Sequence, residues 1–122
     1  MAVKNNQETV TLQAGGDLSA NQFRFVTMAS DGQVDVSTAG ADAIGVLLND
    51  PSAQGRAAEV AVSGITRVEA GGSVPAGSLV TSDADGKAVV ATTGDAVLGI
   101  ATISTADGEV ASIVFNPRGY AA

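Results

Sequence analysis

A run of residues in this chain recurs, in order, 54 positions later. Val26-Thr27 returns as Val80-Thr81, Asp31-Gly32 as Asp85-Gly86, Val36 as Val90, Thr38 as Thr92, Gly40 as Gly94 and Gly45 as Gly99. Ile44 and Val46 are answered by Leu98 and Ile100 at the same offset. Upstream, after a two-residue slip, Gly15-Gly16 pairs with Gly71-Gly72 and Leu18-Ser19-Ala20 with Val74-Pro75-Ala76. Downstream, after a four-residue deletion, Glu59-Val60-Ala61 aligns with Glu109-Val110-Ala111. An ordered series at one offset is the signature of a unit used twice. The fold must therefore be built from two copies of one small piece, over about 15–70 and 71–117.

That piece is made of strands. Short runs rich in β-branched residues, such as Thr9-Val10-Thr11-Leu12, are broken by turns that contain glycine. The spacing predicts strands at 8–13, 22–28, 33–37, 43–49, 57–63, 65–70, 78–82, 87–92, 96–102 and 109–115. Asp31-Gly32, Asp85-Gly86 and Asp107-Gly108 lie between such runs and read as hairpin turns, because Asp tolerates a left-handed backbone and Gly adopts it freely. No long stretch keeps a helical period, and room for a helical turn exists only near 39–43 or 50–53. A few short strands cannot cover both faces of a sheet, so neither copy stands alone. The expectation is an all-β fold: a small β-sandwich or barrel-like domain of two repeated β-meander units, with an extended N-terminal arm. The arm and first strand take 1–14 and the duplicated domain 15–122, with the tail 118–122 fraying.

The 122 residues make one domain. Its aromatics are Phe23, Phe25, Phe115 and Tyr120 only, and much of the remaining apolar content is Ala and Val. Each buried methylene contributes only about 0.8 kcal/mol, so such a core is thin and association between copies is expected to help. The absence of Cys removes disulfides, thiolate nucleophiles and thiolate metal sites. The absence of His removes Ser-His-Asp triads and the commonest transition-metal ligand. Neither a catalytic site nor a cofactor nor a metal is expected.

Thirteen acidic residues against six basic ones leave a net charge of −7. The cations Lys4, Arg24, Arg56, Arg67, Lys87 and Arg118 are dispersed along the chain, so a partner that is DNA or an anionic membrane is not expected. No apolar signal region follows the polar start, and the run 43–48 is far short of the roughly 20 residues that cross a bilayer. The chain is expected to be made in the cytoplasm.

Three local motifs invite chemistry. Asp83-Ala84-Asp85-Gly86 begins like a calcium loop, but the Glu required six residues after the Gly is Thr92. A hairpin turn accounts for it. The glycine-rich segment 71–77 lacks the Lys-Ser/Thr of a phosphate loop and leads into a predicted strand, so it reads as a turn set by Pro75. Glu59 and Glu109, equivalent in the alignment above, would be the carboxylate pair of a glycosidase, but solvent-facing strand residues are the simpler account. In Phe23-Arg24-Phe25, strand alternation puts both rings on one face, toward the core, and Arg24 on the other, where an intersubunit salt bridge is one use for it. A lysine-modified carrier domain is a poor fit, since Lys87 follows Gly86 rather than Asp or Met.

Taken in order, these pieces resemble a phage capsid cement (head decoration) protein family. Ala14-Gly15-Gly16-Asp17-Leu18 and Phe25-Val26 match its opening, and Ala43-Ile44-Gly45-Val46-Leu47 a following strand. The segments 55–64 and 68–80, the turn 84–87 and the strand 97–101 continue the match over nearly the whole chain. The resemblance implies a structural, non-enzymatic protein of the virion: β-rich, a homotrimer, seated on the outer surface of a bacteriophage head and bridging major capsid protein subunits. The arm, residues 1–7, would be the clamp. Contacts with capsid or sister subunits are then expected at Val3, Lys4, Val10, Leu12 and Arg24. No small-molecule substrate is implied. The alternative is a virion-displayed module binding carbohydrate or a host surface, which the scarcity of aromatic faces disfavours.

Overall fold

The computed structural model describes residues 7–121. Nine strands follow one another: β1 Gln7–Ala14, β2 Phe25–Ser30, β3 Gln33–Val36, β4 Gly45–Leu47, β5 Ala57–Glu69, β6 Leu79–Ser82, β7 Ala88–Val90, β8 Gly99–Ala101 and β9 Val110–Phe115. Among the described residues there is no helix, so 39–43 and 50–53 are loops. The fold is all-β, as expected. The predicted strands 57–63 and 65–70 differ from what is seen: they are one strand, β5, running through Gly64 at φ 85°.

All nine strands form one sheet in the order β1-β3-β2-β4-β5-β9-β8-β6-β7, and β1 also pairs with β5. That second pairing, with Val10 opposite Val60 and Leu12 opposite Ala58, closes the first five strands into a ring. The closure at the far side is a short parallel ladder, Ala14 opposite Val34. In the second half Ala70, just past β5, makes a parallel bridge to Ala88 of β7. Strand β5 thus serves both halves, its N-terminal part in the first and its C-terminal part in the second. Residues 7–14 belong to the body of the fold through these ladders.

The pairing registers of the halves run in step. Val26 faces Val36 in β2–β3, and Val80 faces Val90 in β6–β7, each 54 positions on. Phe25 faces Val46 in β2–β4, and Leu79 faces Ile100 in β6–β8. Two strands need glycine because another strand passes too close for a Cβ. At Gly45 it would strike Ala61 O, and at Gly99 it would strike Val114 O.

Apolar side chains fill the halves at corresponding positions. The first core holds Ala14, Leu18, Val26, Val34, Leu47, Ala58 and Val60. The second holds Ala70, Val74, Val80, Ala88, Ala101, Ala111 and Ile113, together with Val68, Ala96, Leu98 and Phe115. Phe25, Ala43 and Val46 leave the first half to join this second core. The Phe25 and Phe115 rings meet with centroids 6.2 Å apart, joining the halves. Each fully buried Val, Leu or Phe side chain contributes about 1.5–3 kcal/mol, so this joint is a main source of cohesion in a chain of small residues.

Candidate interaction surface

The segment before β2 is where the halves lock together. Phe23 donates its N–H to Leu47 O at 2.7 Å, and its carbonyl accepts the Glu69 N–H at 2.7 Å. Phe25 donates to Gly86 O at 2.7 Å and accepts from the Ser37 N–H at 2.9 Å. Between them, Arg24 Nη2 lies 3.6 Å from Glu69 Oε1, and Nη1 donates to Asp85 O at 3.4 Å. Lys87 Nζ approaches the other Glu69 oxygen at 3.3 Å. Glu69 therefore holds one cation from each half. Arg24 Nε is buried with no hydrogen-bond partner among the described residues.

Phe23 is the one non-glycine residue among those described with positive φ, at 63°. A side chain in that region costs about 1–2 kcal/mol. The corresponding residue of the second half is Gly77, at φ 86°, whose N–H bonds Ala101 O as that of Phe23 bonds Leu47 O. An aromatic thus stands where the other half uses glycine. This corrects the expectation that Phe23 and Phe25 share a strand face: β2 begins at Phe25, which is fully buried, while Phe23 is only half-buried. Phe23 lines a cleft of about 290 Å³ with Gln7, Leu48, Ile65, Thr66, Arg67 and Ser112. Alternation rules do not register φ, so only the 54-residue match with Gly77 could have pointed to it.

The expected contact residues do not form one site. Val3 and Lys4 lie outside the described residues. Val10 is 41 % exposed on β1, whereas Leu12 on the same strand packs against the first core. Arg24 sits at the junction described above, held within its own chain.

The three motifs are absorbed by the fold. Asp83 Oδ1 accepts the N–H groups of Asp85 at 2.8 Å and Lys87 at 2.9 Å, closing the β6–β7 turn. Segment 71–77 is a loop into β6, anchored by paired Val74–Thr105 backbone bonds. Glu59 accepts from Thr11 Oγ1 at 2.6 Å, while Glu109 accepts from the Ala106 N–H at 3.1 Å. Their supposed equivalence fails in the sheet. Ala58 and Val60 occupy the places of Ala111 and Ile113, so Glu59 corresponds to Ser112. The identical Glu-Val-Ala triplets had suggested a register three residues away. Among the described residues, no three His, Cys, Asp or Glu side chains gather in a way that could hold a metal ion.

The family model for phage cement proteins matches residues 3–116. Among solved structures, the N base of head fiber gp8.5 in bacteriophage phi29 is similar, with a TM-score of 0.74 at 19 % identity, covering 96 % of this chain and 99 % of that one. At this identity the likeness shows a shared fold. No curated protein sequence matches the chain.

Proposed function

Since the chain belongs to the phage cement protein family, and so with the structural proteins of phage virions, we propose that it decorates the outside of a phage head and holds neighbouring major capsid protein subunits together. The observation that carries this reading is the family match across nearly the whole chain. The fold supports it. A body of small side chains, closed by two ladders and carrying an uneven apolar surface, is suited to fitting against neighbours. The mechanism is mechanical and not enzymatic: many copies each add a modest interface that opposes the pressure of packaged DNA. We take the active form to be a homotrimer, made in the host cytoplasm and added to the shell. The two halves are read as copies of one ancestral unit, on the strength of the matched registers.

Residues 1–6, outside the described region, are assigned the role of a clamp that pairs with an exposed strand edge of the shell. The test is to add purified protein to heads that lack it and to measure occupancy by co-sedimentation. Full-length protein is expected to saturate the heads, and a version without residues 1–6 to bind weakly or not at all. Equal occupancy by the shortened chain would remove the clamp, and no binding by either would remove the decoration role.

A further inference from the structure

Three Asp-Gly pairs stand in turns of this protein, and their surroundings differ. At Asp85-Gly86 the glycine is buried, and a Cβ on it would lie 2.6 Å from Val36 Cγ1 and 3.0 Å from Phe25 O. Its N–H donates to Asp83 O at 3.2 Å, and its carbonyl accepts the Phe25 N–H at 2.7 Å. At Asp107-Gly108 the glycine N–H donates across to Ala70 O at 2.9 Å, just past the end of β5. Asp31-Gly32 has neither restraint. Both residues are exposed, and nothing lies within 4 Å of the Gly32 Cβ position. Among the described residues the Gly32 N–H makes no hydrogen bond, and the Asp31 carboxylate makes neither a hydrogen bond nor an ion pair.

An aspartate followed by glycine carries a reaction of its own, because no side chain shields the glycine nitrogen. That nitrogen attacks the aspartate Cγ. The N–Cγ bond forms and a Cγ–O bond breaks, and the departing oxygen leaves as water with the amide proton and the carboxyl proton. The product is a five-membered succinimide. Water then adds at the aspartate main-chain carbonyl carbon, and the bond from that carbon to the glycine nitrogen breaks. The chain now runs through Cβ and Cγ, one main-chain atom longer, and the former main-chain carbonyl has become the free carboxylate. One water is released and one consumed, so the net change is an isomerisation that needs no other reagent. The nitrogen needs an N–H free of a folded-state bond and room to swing toward Cγ. Of the three pairs, Asp31-Gly32 alone offers both.

We propose that Asp31-Gly32 is a self-modification site that converts to an isoaspartyl linkage in the folded protein, and that the conversion loosens the closure of the first ring. The loosening follows from what Gly32 holds. Its carbonyl accepts the Gln13 N–H at 2.9 Å, beside the parallel ladder that sets Ala14 opposite Val34. An extra main-chain atom immediately before Gly32 carries that carbonyl away from Gln13. The matching turn of the second half, 85–86, is wedged against Val36 and Phe25 of the first, so the change is confined to one ring.

The test is to keep the folded full chain at neutral pH for weeks, beside a sample in urea, and then to digest both with trypsin. Cleavage after Arg24, Arg56, Arg67, Lys87 and Arg118 puts each pair in its own peptide: 25–56, 68–87 and 88–118. Electron-transfer fragmentation distinguishes isoaspartate from aspartate. In the folded protein it should find isoaspartate at position 31 at least about fivefold ahead of 85 and 107, the factor set by releasing one folded-state hydrogen bond. In urea the three should draw level. Asp31→Glu, whose longer side chain would have to close a six-membered ring, should lose the signal in 25–56. Hydrogen exchange on the modified fraction should show the Gln13 amide less protected and the Phe25 amide unchanged. The site is overturned if the folded protein shows equal signal in the three peptides, more in 68–87 or 88–118, or none in 25–56, or if Asp31→Glu keeps the signal. Unchanged protection at Gln13 would overturn the loosening.

Discussion

Replacing Gly99 with alanine adds one methyl group, and the structure gives its effect a definite sign. In a strand with room to spare, the change stabilises by about 0.4–1 kcal/mol, since the unfolded chain loses freedom. At Gly99 there is no room. The new Cβ would collide with Val114 O and lie 3.1 Å from the Val114 carbonyl carbon and 3.3 Å from Phe115 Cα. These are backbone atoms of β9, which is paired to β5 along its other edge and cannot step aside. Relief requires β8 to separate from β9. Overpacking costs about 1–3 kcal/mol, and an obstacle made of backbone belongs at the upper end. The net expectation is a loss of about 2 kcal/mol. Gly16 is the control, because nothing lies within 4 Å of its Cβ position and its φ is not positive. Urea unfolding followed by circular dichroism is the assay. With an m-value of about 1–3 kcal/mol per molar, Gly99→Ala should lower the midpoint by about 1 M, while Gly16→Ala leaves it level or slightly raised. A Gly99→Ala midpoint equal to or above that of Gly16→Ala would refute the β8–β9 geometry.

Phe25→Ala, which empties the joint between the halves, should reduce unfolding free energy by about 3–5 kcal/mol, whereas Tyr120→Ala, at a 67 % exposed position, should change it by less than about 0.5 kcal/mol. Calorimetry separates the two. Thr81 Oγ1 is buried with no hydrogen-bond partner among the described residues, so Thr81→Val should raise the melting temperature by a few degrees. Hydrogen bonds from the Ser19 hydroxyl and N–H hold the Asp17 carboxyl below its ordinary value. A lowered folded-state value stabilises above the unfolded value and is lost as pH falls through the folded one. The melting-temperature advantage of wild type over Asp17→Ala should therefore be present at neutral pH and shrink through the acidic carboxylate range.

Much of the strand order was legible because punctuation and patterning agree. Asp-Gly at 31–32 and 85–86 marks the two turns where Gly32 and Gly86 take positive φ, and Val26, Val34, Val80 and Ala88 fall on the buried side of their strands. The misses share a cause, since each depends on which segment lies beside which. Gly64 looked like a break because glycine usually ends a strand, yet ladders to β1 and β9 carry β5 through it. Phe23 looked like a strand residue because alternation ignores φ, and its backbone instead bridges Leu47 and Glu69. The cation pair on Glu69 was hidden because Arg24 and Lys87 are far apart in sequence and meet only when the halves pack. Of the expected contact residues, Val10 could be read as exposed from its strand, but the position of Arg24 could not.

Head decoration is a matter of position on a particle, so it is measured most directly by an electron-microscopy comparison of phage heads assembled with and without this protein. Protrusions on the outer surface of the shell, present with the protein and missing without it, are the predicted result. Identical head surfaces in the two preparations would contradict the account.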